Sequence, residues 1–397
     1  MISLLLAIIY ISFISLGLPD GLLGSAWPLI YPEMNVPVSY SGIIFMIISI
    51  GTVISSLQSD RLTKKLGAGK ITAISVALTA IALLGFASSH SFVALCLWAV
   101  PYGLGAGGVD AALNNYVALH FASRHMSWLH CMWGVGASVG PYIMSAALTR
   151  TSSWNNGYLV IGIMQIVLSL LLFMSLPLWK KNETDKESEA EDKVAEPIPL
   201  KAVIRIKGAK EIMLAFFCYC ALEQTVGLWA SSYLVLYKGV PEITATGFAG
   251  LFFIGITAGR AVNGFLTMKF SDTQLIYMGQ TIIAAGIVLL LLPAPNIVSL
   301  AGFIAIGVGC APIYPCIIHS TPVHFGRENS QAMVGVQTAS AYIGTSIMPP
   351  LFGLLAKEIG IYLLPFYILV ILAVQFFMYT RMRALTKKNT VEILSEE

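Results

Sequence analysis

Three acidic residues stand inside stretches that are otherwise apolar: Asp20, Asp110 and Glu223. A carboxylate near the middle of a bilayer costs about 2.5–3.5 kcal/mol on insertion scales, so it is kept where it faces a protein interior or a wet cavity. There it can take up and release a proton or hold a polar solute. Asp110 lies in GLGAGGVDAALNNYVALHF, from Gly103 to Phe121. Asn114 follows it by four positions, which places both side chains on one helix face. Gly103, Gly105, Gly107 and Gly108 carry no side chain just before the acid, so neighbouring helices can approach closely. Glu223 sits beside Gln224, with Trp229 further along the same run, and Asp20 follows Pro19. Gln224, Gln337 and Asn114 can supply the amide hydrogen bonds that a hydroxylated solute requires. Trp229 can stack on a sugar ring, and His319 is a candidate lining residue of the same cavity. Asp110, Asn114 and Asn115 also offer hard oxygen atoms of the kind sodium takes.

The elements that must position these groups are membrane spans. Apolar residues make up 57% of the 397 and charged ones only 11%, against about 25% charged in a soluble domain. That excludes a globular enzyme built around a soluble core. Apolar runs of about 20 residues, the length that crosses a bilayer, occur near 3–26, 39–58, 69–88, 92–120, 127–149, 156–178, 211–236, 243–267, 274–292, 298–321, 329–356 and 361–381. The reading is an all-α membrane protein of twelve spans, the first bent at Pro19. Of the 23 basic residues, 20 fall on the side of both termini, counting Arg260 with the loops. The positive-inside rule then places both termini in the cytoplasm of a cell membrane. Residues 179–210 are polar and mixed in charge, and Asn182 to Pro199 should be flexible. They divide the chain into a six-span bundle at 1–178 and a second at 211–381, followed by a tail at 382–397. The six cysteines lie in apolar spans without paired spacing and read as packing residues. The first span is too long for a cleavable signal and lacks a basic start. The basic residues sit in short loops, so nothing points to nucleic acid. The pattern calls for no cofactor and no metal, and the expected working unit is a monomer.

The two halves resemble one another. Residues 103–121 over 307–325 align Gly103 with Gly307, Gly105 with Gly309, His120 with His324 and Phe121 with Phe325. Gly21, Leu22 and Ser25 align with Gly227, Leu228 and Ser231 in the same manner. Duplicated halves with a site between them are a transporter layout. Between spans 2 and 3 the chain reads Ser56 to Gly67, SLQSDRLTKKLG. A small residue, then Asp60 and Arg61, then basic residues and a glycine, resembles the cytoplasmic signature of the major facilitator superfamily. Asp60, Arg61 and, in the degenerate second copy, Arg260 are the expected cytoplasmic gate, with Asp60 pairing to a base or a helix N-terminus. Within that superfamily the chain resembles the fucose–proton symporters. The resemblance rests on Gly17-Leu18-Pro19-Asp20-Gly21, on Gly105 to Asn114, on Leu129-His130 with Gly134, Gly136, Gly140 and Pro141, and on Ala221-Leu222-Glu223 with Gly227 and Trp229. It implies that the acids of spans 1 and 4, Asp20 and Asp110, carry protonation and contact a sugar, although Asp110 stands where those relatives usually have Glu.

The expected function is secondary transport of a small polar solute, a monosaccharide first, by alternating access with proton symport. Asp110 is the leading coupling carboxylate, with Asp20 and Glu223 as alternates. Proton-driven efflux of amphipathic compounds and sodium-coupled uptake stay open. A membrane-embedded enzyme fits poorly, because the acids are spread one per span instead of gathered at one face.

Overall fold

The computed structural model describes residues 2–37, 40–187, 197–240 and 242–396. Among them there is no strand. A segment surrounded by lipid finds no water for its amides and carbonyls, so it closes its own hydrogen bonds as a helix. The helices are α1 (Ile2–Gly17), α2 (Leu22–Glu33), α3 (Ser41–Leu66), α4 (Ala68–Ala87), α5 (Phe92–His120), α6 (Ser123–Thr151), α7 (Trp154–Glu187), α8 (Leu200–Val203), α9 (Ala209–Leu236), α10 (Glu242–Leu266), α11 (Asp272–Leu291), α12 (Asn296–Cys310), α13 (Ile313–His319), α14 (Thr321–Phe325), α15 (Arg327–Glu358) and α16 (Leu364–Glu396). Eleven spans among the described residues are long and apolar enough to cross a membrane, and the apolar part of α10, Leu251–Leu266, is a shorter twelfth.

Two spans are broken. The first stops at Gly17 and restarts at Leu22, with Leu18-Pro19-Asp20-Gly21 as a turn between α1 and α2. Pro19 has no amide to donate, which is the physical basis for the expected bend. The tenth stops at Cys310 and restarts at Ile313 across Ala311-Pro312. Helix also runs further than expected at two places. Residues 182–187 of the supposed linker continue α7, and the tail continues α16 to Glu396. Neither stretch contains Pro or Gly to stop the helix. Residues 188–196, the rest of the charged linker, lie outside the described residues.

By packing, the chain forms two units. The first holds Met1–Tyr116 and Met132–Pro199; the second holds Val117–Cys131 and Leu200–Glu397. The hairpin between α5 and α6 therefore belongs to the second unit, although the helices on both sides of it run into the first. In the first unit α4 packs on α7; in the second, α9 lies against α15 and α16, and α12 against α10 and α11.

The glycines of α5 act as the sequence reading expects. A Cβ at Gly103 or Gly107 would overlap the carbonyls of Ile48 and Thr52 on α3. One at Gly105 or Gly108 would strike Ser75 of α4. Asp110 is thus carried on a helix pressed between two neighbours. In the second unit Gly307 meets the carbonyl of Phe252 and Gly309 that of Gly279. Each pair is its first-unit counterpart displaced by one common offset, so the internal repeat extends to helix contacts.

Candidate functional site

In the first unit the site is built where α1 and α2 meet α6. Gly17, Gly136 and Gly140 remove the side chains that would hold these backbones apart. A Cβ on Gly17 would overlap the Trp133 carbonyl, and one on Gly136 or Gly140 would overlap the carbonyls of Ile14 or Leu18. This contact brings the Trp133 indole to the helix break, where its Nε1 donates to Asp20 Oδ2 at 2.9 Å. The Asp20 residue is exposed, and among the described residues its carboxylate has no cationic partner. Asp110 lies within Coulombic range of it, so two carboxylates share this part of the unit. Asp110 is 6% exposed, and its Oδ1 accepts from Asn114 Nδ2 at 2.8 Å, the partnership that the four-residue spacing predicts. Below Pro19 lies a cavity of about 30 Å³, lined by Leu23, Ile44, Phe86, Tyr102 and Tyr158 among others. It is large enough for a water molecule.

In the second unit the site forms beside the other break. Glu223 of α9 faces Arg260 of α10, with Nη2 3.6 Å from Oε2 and the guanidinium side chain only 3% exposed. The Tyr219 hydroxyl, one turn before Glu223, bonds the same carboxylate and also lies 3.0 Å from the carbonyl of Cys310, the last residue of α12. That carbonyl is one of those the broken helix leaves without an intrahelical donor. His130, on the hairpin side of α6, packs against Tyr314 with the rings tilted by 53° and their centroids 4.5 Å apart.

Each unit thus pairs a discontinuous helix with a buried or partly buried acid. Carbonyls and amides freed at such breaks, next to ionisable groups, are what solute sites in transporters are made of.

Several assignments from the sequence are changed by the geometry. Arg260, expected near the cytoplasmic end of its span, is buried and paired to Glu223. Asp60 is buried and joins Lys64 at 3.0 Å and the amide of Ile198 at 3.0 Å, while Arg61 is exposed. The signature acid therefore receives the end of the linker. Trp229 donates to the Pro349 carbonyl at 3.0 Å and packs on Phe352, so its indole is committed to α15. Trp133, whose type and setting did not single it out in the sequence, is the tryptophan bonded to Asp20. Gln337 is fully buried and accepts from Thr321 Oγ1 at 3.1 Å. Gln224 is exposed on α9. His319 is held by Asp272 and the hairpin, apart from Glu223. Tyr219 and Asp272 were not anticipated. The spacing of Tyr219 to Glu223, one helical turn, was a readable signal; Asp272 offered none beyond opening a helix.

An all-helical chain with twelve spans, two repeated units and acids at helix breaks defines a polytopic transporter. The family model of the Major Facilitator Superfamily matches residues 9–318 and, in a second match, 248–393. The chain belongs to the major facilitator superfamily, whose family and fold are those of transporters. It is 22% identical over 388 residues to "Bypass of stop codon protein 6" of Saccharomyces cerevisiae, covering 89% of this chain and 77% of that protein. It is 23% identical over 304 residues to the "Hexuronate transporter" of Bacillus subtilis, covering 73% of this chain and 70% of the relative. Among solved structures it resembles the superfamily transporter FucP in the outward conformation, with a TM-score of 0.76 at 16% identity over 95% of this chain and 98% of the other. At that identity the likeness concerns the fold.

Proposed function

We propose that the protein moves a small polar solute, a monosaccharide or sugar acid, across a cell membrane together with a proton, by alternating access. The observation that carries this reading is Asp20 at the break in the first span, with Asp110 buried on α5 of the same unit. Asp20 has an indole as its hydrogen-bond partner and no cation among the described residues. A carboxylate held this way can change protonation during a cycle, whereas Glu223 is already opposed by Arg260. Proton exchange is therefore assigned to Asp20 and Asp110. Solute contact is assigned to those two acids together with Trp133 and Asn114, all of the first unit. The superfamily fold, the likeness to a fucose:proton symporter and the relation to a hexuronate transporter support the solute class. The distribution of Lys and Arg supports cytoplasmic termini.

The test is reconstitution into liposomes holding a pH-sensitive dye, with hexoses, pentoses and hexuronates added outside. Internal acidification on adding one of them, absent in Asp110→Asn, is the expected result. Silence to every sugar with a response to sodium, or to cationic dyes, would overturn the reading in favour of sodium coupling or efflux. Undiminished accumulation by Asp110→Asn would remove Asp110 from the coupling.

A further inference from the structure

The hairpin joining α5 to α6 is held by a histidine whose two ring nitrogens both face acceptors. His319, the last residue of α13, has Nδ1 2.6 Å from Asp272 Oδ2 and Nε2 3.1 Å from the carbonyl oxygen of Phe121. Ser123, which opens α6, donates its hydroxyl to the other oxygen of Asp272. Asp272 begins α11, which is capped by Ser271 in a capping box with Gln274. The free amides of a helix's first turn favour a carboxylate over a carboxylic acid. An ionised carboxylate and a backbone carbonyl can only accept, and a neutral imidazole has one N–H to give. Both contacts are satisfied together only when the ring carries two protons.

We propose that His319, as the imidazolium, latches the α5–α6 hairpin to α11 and α13, giving this protein a proton-dependent step separate from its span carboxylates. The hairpin is where α5 and α6 pass between the two units, at Tyr116–Val117 and Cys131–Met132. Further contacts hold the same stretch: Asn263 Nδ2 to Ser127 Oγ at 2.8 Å, Trp128 Nε1 to the Ala261 carbonyl at 3.3 Å and Arg327 to the Leu119 carbonyl at 3.2 Å. These groups do not change protonation near neutral pH, whereas an imidazole is the side chain suited to do so.

Asp272 is the charge in direct contact with the ring. The other charged or titratable groups at this end are His324 on α14, Arg383 on α16, Cys316 on α13, His120, Arg124 and His125 on or beside the hairpin, Arg327 on α15, and Glu211 of α9 paired with Arg381. The latch is complete while the imidazole holds its second proton, and it loses one of two bonds when that proton leaves as pH rises. The proposal does not depend on the identity of the solute or on proton symport.

Amide hydrogen exchange on the full chain in lipid nanodiscs tests it, at about pH 6.5, the ordinary histidine value, and at about pH 9, well above it. His324 stays neutral throughout, because burial holds it down to about 4. After correction for intrinsic exchange, peptides from 117–131 should open at least about tenfold more at the alkaline end, while peptides from α7 stay unchanged. In His319→Gln, whose donors sit on one nitrogen and cannot replace the two opposed ring nitrogens, the hairpin should exchange fast at both ends of the range. Asp272→Asn should behave likewise. A wild-type hairpin whose corrected exchange is flat across the range would overturn the proposal, as would His319→Gln with the wild-type pH dependence. If His319→Gln also loosens α7, the wild-type profile and Asp272→Asn decide the question.

Discussion

Replacing Glu223 by Gln keeps the side chain's size and removes only its charge. The residue it faces, Arg260, is 3% exposed with a guanidinium nitrogen 3.6 Å from the carboxylate. At an effective dielectric constant of about 20, two unit charges at that separation attract by about 4–5 kcal/mol. Removing one partner of a buried pair costs about 3–5 kcal/mol, because the other charge stays buried without compensation. Arg cannot neutralise itself by losing its proton, so Glu223→Gln takes the full penalty. Arg260→Met leaves a carboxylate that can pick up a proton, and should be milder. The double variant Glu223→Gln/Arg260→Met buries neither charge and should recover most of the loss. Five of the six cysteines, Cys131, Cys218, Cys220, Cys310 and Cys316, are buried, and all five belong to the second unit. A thiol-reactive fluorophore on heating therefore reports the unfolding of that unit. The expected order of stability is wild type, then the double variant close behind, then Arg260→Met, then Glu223→Gln. A Glu223→Gln protein within about 0.5 kcal/mol of wild type, the range of an uninvolved surface change, would refute the argument. So would a double variant no more stable than Glu223→Gln.

The two tryptophans separate site from scaffold: Trp133→Phe should weaken solute binding and proton uptake by losing the bond to Asp20. Trp229→Phe should cost only about 0.5–1.5 kcal/mol of stability for one neutral hydrogen bond, with solute binding measured by calorimetry unchanged. Gly136→Val should force α1 from α6, because its Cβ would overlap the Ile14 carbonyl; the expected readout is loss of folded protein in detergent, and well-folded, fully active protein would contradict the contact. His324 lies outside the spans, and burial first, then Arg383, pushes its imidazole down from 6.5 to about 4, against the pull of Asp272. The unfolded chain binds a proton that the folded one refuses, so the stability it contributes is present above about pH 6.5 and lost as pH falls toward about 4. His324→Asn should flatten that part of the stability–pH profile in the same thiol assay.

The span count was legible in the sequence because membrane insertion is decided by local hydropathy, and a run of about 20 apolar residues carries its own evidence. The Asp110–Asn114 bond was legible because both members lie on one helix, where a four-residue spacing fixes their faces. The glycines of α5 announced close packing, and Pro19 announced a bend. The pairing of Asp60 with a basic group was legible too, because Lys64 lies one turn on; its second contact was not. Asp60 meets Ile198, far along the chain, and no local rule gives that pairing.

What remained for the tertiary structure was the choice among chemically equivalent residues. Trp133 and Trp229 sit in similar apolar runs, yet one reaches an acid and the other a backbone carbonyl, because Gly17, Gly136 and Gly140 allow α1 and α6 to touch. Arg260 could be read as a topological anchor at the end of its span because charge counting ignores depth; its pairing depends on the position of Glu223 on another helix. His319 looked like a cavity residue by its alignment with Asn115. The break before α13 and the start of α11 turn it toward Asp272 and the Phe121 carbonyl instead. Hydropathy and helical period act over a few residues and can be read along the chain. A partner across helices depends on how their backbones pack, and only the folded chain determines that.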